Sequence, residues 1–312
     1  MDNLFMDNPM KIPYDRPLPV DTLRSAAWTS QGVQVDVLRL DTIHPVISGN
    51  KWFKLKEYLR QALHDRKERI VTFGGAWSNH IVATAYAARA AGLRSAGIIR
   101  GERADPLSDT LEAALDYGMQ LEFISRAAYK NRAEASFLAE LSSRWPGACF
   151  IPEGGAGRSG ITGSATILEE LDPTPYSHIL CAIGTGATYW GLANGAAPGQ
   201  QIIGIPVLKG MDGFLQQGRE WLQDPSRLSF CHIEPAYHFG GYARRTEELL
   251  AFMNELYRET GIPSDFVYTG KLFYAARDLL SKSYFPPGSQ LLLIHSGGLQ
   301  GNRSLPAGIL DF

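Results

Sequence analysis

Three short segments of the chain combine residue types that do chemistry with glycines that bend the backbone around them. The first is Ser48-Gly49-Asn50-Lys51-Trp52-Phe53-Lys54. Lysines are ordinarily solvated surface residues. Lys51, however, falls in the first turn of an expected helix, where a cation opposes the helix dipole and needs another reason to be there. Its neighbours Trp52 and Phe53 supply apolar surroundings of the kind that lower an amine's pKa and make it nucleophilic. Lys54, one helical turn on, faces the same way and can reach an anion held near Lys51. The second segment is Thr72-Phe73-Gly74-Gly75-Ala76-Trp77-Ser78-Asn79-His80. Paired glycines after a strand, then Ser78-Asn79 at a helix start, bring a hydroxyl, an amide and free backbone N–H groups to one point. A serine-hydrolase elbow is excluded, because GxSxG needs glycines where Ala76 and His80 stand. Ser78 as a plain N-cap and His80 as a packed histidine are the bland alternatives, and no HExxH or similar metal spacing is present. The third is Ile183-Gly184-Thr185-Gly186-Ala187-Thr188, leaving a strand and opening a helix, a geometry that can cradle a phosphate. It lacks GxGxxG, and no GxxxxGK[ST] occurs anywhere, so a strand-to-helix turn that merely needs glycine is an equal reading.

Alternating apolar runs and helical patterns must position these segments, and they argue for βα units with largely parallel sheets. Strands are expected at Val33–Leu40, Ile70–Phe73, Ser95–Arg100, Gln120–Ile124, His178–Ile183, Gln201–Pro206 and Gln290–His295. Helices are expected at Lys51–Arg66, Ser78–Ala91, Leu107–Tyr117, Arg132–Arg144, Ile161–Leu171, Ala187–Asn194, Met211–Leu222, Thr246–Thr260 and Lys271–Lys282. This pattern divides into a smaller α/β domain at residues 54–158 and a larger one from residues 1–53 and 159–312. Two lobes without a flexible linker place a cleft between them, which favours a small-molecule enzyme over a string of binding modules.

Composition agrees. The 312 residues carry 30 Lys+Arg against 32 Asp+Glu, a net charge of −2, so the basic footprint of a nucleic-acid binder is absent. Three widely spaced cysteines (Cys149, Cys181, Cys231) form neither a metal motif nor a disulfide framework and suit a reducing compartment. The first twenty residues have acids and prolines where an export signal needs a basic stretch and an apolar run. Arg89 and Arg94 interrupt the most alanine-rich stretch, which falls short of a membrane span. A cytoplasmic protein without nucleic-acid or membrane partners is expected. The 32 glycines exceed the usual share, and many come in pairs.

Five motifs stand in order: Gly49-Asn50-Lys51-x-x-Lys54-Leu55, Gly74-Gly75-x-x-Ser78-Asn79-His80, Gly184-Thr185-Gly186, Val267-Tyr268-Thr269-Gly270-Lys271 and His295-Ser296-Gly297-Gly298. Together they resemble the 1-aminocyclopropane-1-carboxylate (ACC) deaminase / D-cysteine desulfhydrase family of pyridoxal 5′-phosphate (PLP) enzymes, in the tryptophan-synthase β-subunit class (fold type II). The resemblance runs from about Leu18 to Gly301. It implies two lobes, each with a largely parallel twisted sheet flanked by helices, with PLP in the cleft between them, and it implies a homodimer.

By that resemblance Lys51 forms the Schiff base with PLP, and Lys54 with the backbone of Gly184, Thr185, Gly186, Ala187 and Thr188 holds the phosphate. Asn79 bonds the ring hydroxyl. Ser78, with the N–H groups around it, receives the carboxylate of a small amino-acid substrate, flanked by Trp77 and His80. Tyr268 and Tyr242 correspond to the family's two active-site tyrosines, although Phe239-Gly240-Gly241-Tyr242-Ala243 departs from the usual Gly-Tyr-Gly context. Trp77 stands where many relatives have Gln, and Phe53 where many have Arg. Two positions separate the branches: ACC deaminases carry Glu after the first tyrosine and Leu before the late Gly-Gly, whereas desulfhydrase-like members carry small hydroxyl residues. Here they are Thr269 and Ser296, at the pyridine edge, where a hydroxyl does not enforce ring protonation as a carboxylate does. The resemblance therefore implies a lyase performing α,β-elimination on a small D-amino acid, with Lys51 or a tyrosine removing the Cα proton. Pyruvate and ammonia result, with sulfide if the substrate is D-cysteine. The alternative is ACC deaminase, opening the ring to 2-oxobutyrate and ammonia. A non-catalytic small-ligand binder on the same fold is a more distant reading, which the imine-forming Lys51 disfavours.

Overall fold

The strand and helix patterns are realised across residues 17–312, which the computed structural model describes; residues 1–16, part of both the export-signal reading and the larger expected domain, lie outside them. In chain order the strands are β1 (Val20–Leu23), β2 (Gln34–Arg39), β3 (Arg69–Gly74), β4 (Arg94–Arg100), β5 (Met119–Ile124), β6 (Ala148–Ile151), β7 (His178–Ile183), β8 (Gln201–Pro206), β9 (Cys231–Ile233) and β10 (Gln290–His295). The α-helices are α1 (Lys51–His64), α2 (Asn79–Ala90), α3 (Asp109–Asp116), α4 (Arg126–Lys130), α5 (Ala135–Arg144), α6 (Arg158–Ala165), α7 (Ala187–Gly195), α8 (Phe214–Gln217), α9 (Glu247–Thr260) and α10 (Thr269–Ser281). Two expected helices are broken. The stretch 161–171 leaves α6 for a 3-10 turn at Thr166–Glu170, and 211–222 shrinks to α8 followed by a 3-10 turn, Gly218–Trp221. Glycine is the reason in the second case: Gly213 and Gly218 weaken the helix, and a Cβ on Gly218 would lie 1.9 Å from the Trp190 ring.

The described chain divides into two compact units. One comprises His44–Ile47 and Lys51–Gly163, so it takes in Lys51–Phe53, which the sequence pattern assigned to the other side of the boundary. Its four-stranded parallel sheet has the order β5-β4-β3-β6. Side chains alternate across it. Val71, Phe73, Ala96 and Ile98 pack with Tyr129 of α4 and Leu141 of α5, while Ile99 packs with Ile81 and Ala85 of α2 and Leu111 and Ala114 of α3. Thr72, between Val71 and Phe73, therefore points to the α2 side.

The other unit comprises residues 17–43, Ser48–Asn50 and Ser164–Phe312. Its six-stranded sheet has the order β1-β2-β10-β7-β8-β9, parallel throughout except for the antiparallel β1 edge. α10 buries Leu272, Phe273, Ala275, Ala276, Leu279 and Leu280 in the core, where Trp28 meets Phe273 edge to face at 6.3 Å. Because β7 and β10 are adjacent and parallel, the loops that follow them, Gly184–Gly186 and Ser296–Gly298, emerge at the same carboxyl edge, where ligands bind in open α/β sheets.

Candidate active site

In the larger unit the glycine turns meet. Gly49 has φ +69°, and a Cβ there would lie 1.9 Å from the Ser296 carbonyl oxygen, so only glycine lets the turn before Lys51 rest on the loop after β10. Asn50 then ties two loops together: its backbone N–H donates to Ser296 O (3.1 Å) and its side-chain amide donates to Thr188 Oγ1 (2.8 Å). Gly186, at φ +88°, is the N-cap of α7, which leaves the first backbone N–H groups of that helix without partners within it. The ring of Tyr268 lies on Gly184, whose Cβ would stand 3.0 Å from Tyr268 Cε1. Tyr242, in the departing sequence context, is 3.5 Å from Tyr268 between hydroxyls. Thus Gly184–Thr188, Tyr268 and Tyr242 are brought together, and Asn50 joins Ser296 to Thr188.

Thr269 is differently employed. Its hydroxyl donates to Asp265 Oδ1 (2.7 Å) and accepts from the Asp265 backbone N–H (2.8 Å). The enclosed Asp265 carboxylate also accepts from the N–H groups of Val267, Tyr268 and Thr269 at 2.8–2.9 Å, fixing the entry into α10. Lys271, fully enclosed, donates to His238 O and Gly241 O, both at 2.9 Å, and so pins the loop that carries Tyr242. Burial pushes its pKa down to about 8, against the pull of Asp265 in the other direction. The folded chain thus releases this proton more readily than the unfolded chain, and the group adds stability as pH rises from about 8 towards 10.5. In Lys271→Met that rise should flatten in urea titrations taken across the window; an unchanged slope would show that the amine is not held as described.

In the smaller unit Lys51 opens α1 and Ser78 precedes α2. Ser78 occupies the N-cap position, yet its hydroxyl makes no capping bond; it lies instead against Gly74, whose Cβ would stand 2.8 Å from Ser78 Oγ. Lys54 is buried and donates to Gly154 O (3.2 Å), while Gly155 packs against Lys54 and His80. Trp77 is exposed, and Trp52 and Phe53 are core residues of α1. Asn79 Oδ1 and His80 Nδ1 are buried without a hydrogen-bond partner among the described residues. Both residues lie in the first turn of α2, and buried polar atoms without partners call for a physical account, of which a bound ligand is one.

A model of the family described as pyridoxal-phosphate dependent enzyme matches residues 21–297. The chain belongs to that family. Among relatives of this PLP-dependent enzyme, a putative ACC deaminase from Pyrococcus abyssi (strain GE5 / Orsay) is 29% identical over 86% of each chain. A bifunctional D-cysteine desulfhydrase/ACC deaminase from Arabidopsis thaliana is 28% identical over 92% of this enzyme and 80% of the relative. The solved structure of an ACC deaminase homologue superposes with a TM-score of 0.78 at 25% identity, covering 97% of both chains. The enzyme has the α/β fold with parallel sheets flanked by helices that the motifs imply. Residues of the smaller unit fit the cofactor: the buried Asn79 amide oxygen, which has no hydrogen-bond partner among the described residues, can accept from a ring hydroxyl.

Sequence reasoning left three residues that organise these loops unassigned. Asn50 was visible as a turn former, but its bonds to Ser296 and Thr188 join residues far apart in the chain. Lys271 closes the Tyr268 motif and Asp265 lies just before it, and an aspartate just before a helix is a capping signal that could have found the latter.

Proposed function

We propose that the protein is a PLP-dependent lyase carrying out α,β-elimination on a small D-amino acid, D-cysteine desulfhydrase-like, giving pyruvate and ammonia, and sulfide from D-cysteine. The observation that carries this reading is the pair Thr269 and Ser296. Both offer hydroxyls, and the Thr269 hydroxyl commits its one proton to Asp265. It therefore has none to give a ring nitrogen, and Ser296 is left as the hydroxyl for that edge. A weakly protonated ring is a moderate electron sink, adequate where the β-substituent leaves readily.

PLP, when bound, supplies the electron sink that makes the Cα proton of an amino acid removable. Lys51 would hold it covalently through Nζ. Lys54 and the N–H groups at the start of α7 would hold its phosphate, and Asn79 its ring hydroxyl. Ser78 Oγ, not spent on capping, would orient the substrate carboxylate together with the N–H groups that open α2. Either the Lys51 amine or the Tyr268–Tyr242 hydroxyl pair would take the Cα proton. A cytoplasmic homodimer is part of the same proposal.

The second reading, ACC deaminase, is supported by relatives that bear that name, those of Pyrococcus abyssi and Arabidopsis thaliana among them. Pyruvate and 2-oxobutyrate should be assayed in parallel from D-cysteine, 3-chloro-D-alanine and ACC. Pyruvate from the first two, with little 2-oxobutyrate from ACC, is expected. Rapid 2-oxobutyrate formation would transfer the assignment to the deaminase, and a protein that cannot be loaded with PLP would exclude both.

A further inference from the structure

The loop that carries Tyr242 is held in an unfavourable backbone conformation. Phe239, Gly240, Gly241 and Ala243 all have positive φ, at +50°, +90°, +114° and +53°. The Cβ atoms of Phe239 and Ala243 disfavour this region, so the shape persists because the surroundings impose it. Two successive turns make up the loop: Gly241 N–H donates to His238 O (3.0 Å), and Arg244 N–H donates to Gly241 O (3.1 Å). The same two carbonyls accept from Lys271 Nζ, each at 2.9 Å. A carbonyl oxygen has two lone pairs, so the amine takes the second acceptor site of each turn and holds both at Gly241, the joint next to Tyr242.

Lys271 comes from the same helix end as the other tyrosine. Tyr268 is the N-cap of α10, and Lys271 lies in the first turn. One helix start thereby carries one tyrosine and holds the backbone beside the other. The two rings meet edge to face at 6.1 Å, with the hydroxyls 3.5 Å apart. Packing does not enclose the Tyr242 side chain, which is exposed, so its placement depends on its backbone. The ends of the loop are anchored without the lysine: Phe239 packs on Tyr274 of α10 at 4.8 Å between ring centroids, and the Thr246 hydroxyl caps α9 by accepting from Leu249 N–H (3.2 Å). Loss of the amine should therefore free residues 240–243 and leave both ends in place.

We propose that Lys271 is a positioning residue: by joining the His238 and Gly241 carbonyls to the first turn of α10, its amine sets the Tyr242 hydroxyl against that of Tyr268. The proposal rests on the functional reading above for its effect on turnover, whereas the hold on the loop needs no cofactor.

Trypsin tests that hold on the PLP-free intact chain, because exposed Arg244 and Arg245 directly follow the loop. In Lys271→Met, which keeps an unbranched stem without the amine, cleavage at Arg244 and Arg245 should quicken about tenfold or more relative to the other cleavage sites. Unchanged cleavage there, or equal acceleration at every site, overturns the proposal. Should Lys271→Met not fold, Lys271→Gln, with an N–H donor on a shorter stem, should show the same preference to a smaller degree, and its absence overturns the proposal equally. On the PLP-loaded enzyme, Lys271→Met should lower kcat about tenfold with KM within about twofold. In a Tyr242→Phe background the same substitution should lower kcat by less than about twofold further, because its effect passes through the hydroxyl already removed. Losses that multiply in the double variant overturn the proposal. Parent-like kcat in Tyr242→Phe, beside the expected trypsin result, would remove Tyr242 from the functional reading and leave the hold on the loop standing.

Discussion

Lys51→Ala is expected to lower amino-acid turnover by about a thousandfold or more, and to abolish the visible band and its borohydride-fixable link to the chain, without loss of fold. The separation of these effects has a physical basis. Lys51 is half-buried at the start of α1, where its charge opposes the helix dipole, and alanine is the better helix former, so the substitution is neutral to mildly stabilising by a few tenths of a kcal/mol. Its apolar neighbours Trp52 and Phe53 supply the packing at that end of the helix and are untouched. A thermal midpoint equal to that of the parent protein, together with absent turnover, is the expected pair of results. Near-normal turnover in Lys51→Ala would falsify the assignment of the cofactor lysine, and loss of folding would show that Lys51 has a structural duty.

Asp265→Ala should have the largest effect on stability. The carboxylate is enclosed and accepts from three backbone N–H groups and the Thr269 hydroxyl. Truncation leaves those donors buried without partners and removes the counter-charge that partly offsets the burial of Lys271. The cost should be about 3–5 kcal/mol, a large fraction of the roughly 5–15 kcal/mol that stabilises a typical domain. Asp265→Asn keeps one acceptor oxygen and should lose less. In Asp265→Ala, Tyr268 loses the contact that sets its backbone, so activity should fall in whatever fraction stays folded. Denaturant titration ranking Asp265→Ala below Asp265→Asn below the parent is the check, and equal stability of all three would show that the carboxylate is not the organiser of this turn.

The strands that carry long aliphatic runs, β3, β4, β7, β8 and β10, were legible because their hydrophobic content is local information. β1 and β9 were not, being four and three residues long and defined by pairing with β2 and β8. Helix α8 was overestimated because apolar spacing over 211–222 continues through Gly213 and Gly218, while the close approach of Trp190 that requires Gly218 is a tertiary contact. Residue types and glycine pairs located the loops that follow β3, β7 and β10. How each side chain is used was less legible: Ser78 sits at an N-cap without capping, and Thr269 gives its proton to Asp265.

By itself the sequence determined the chemistry available to this protein: an amine preceded by a glycine turn, a hydroxyl and amide at a helix start, a glycine turn opening a helix, and hydroxyls at two late positions. These follow from residue type and spacing within a few positions, and local backbone preference suffices to place them on loops. Only the tertiary structure decided which of those groups are committed. The Thr269 proton, the Asn50 amide and the buried Lys271 amine are each set by a partner distant in sequence or enclosed by packing. A hydroxyl has one proton to give, and only the folded chain shows where it goes.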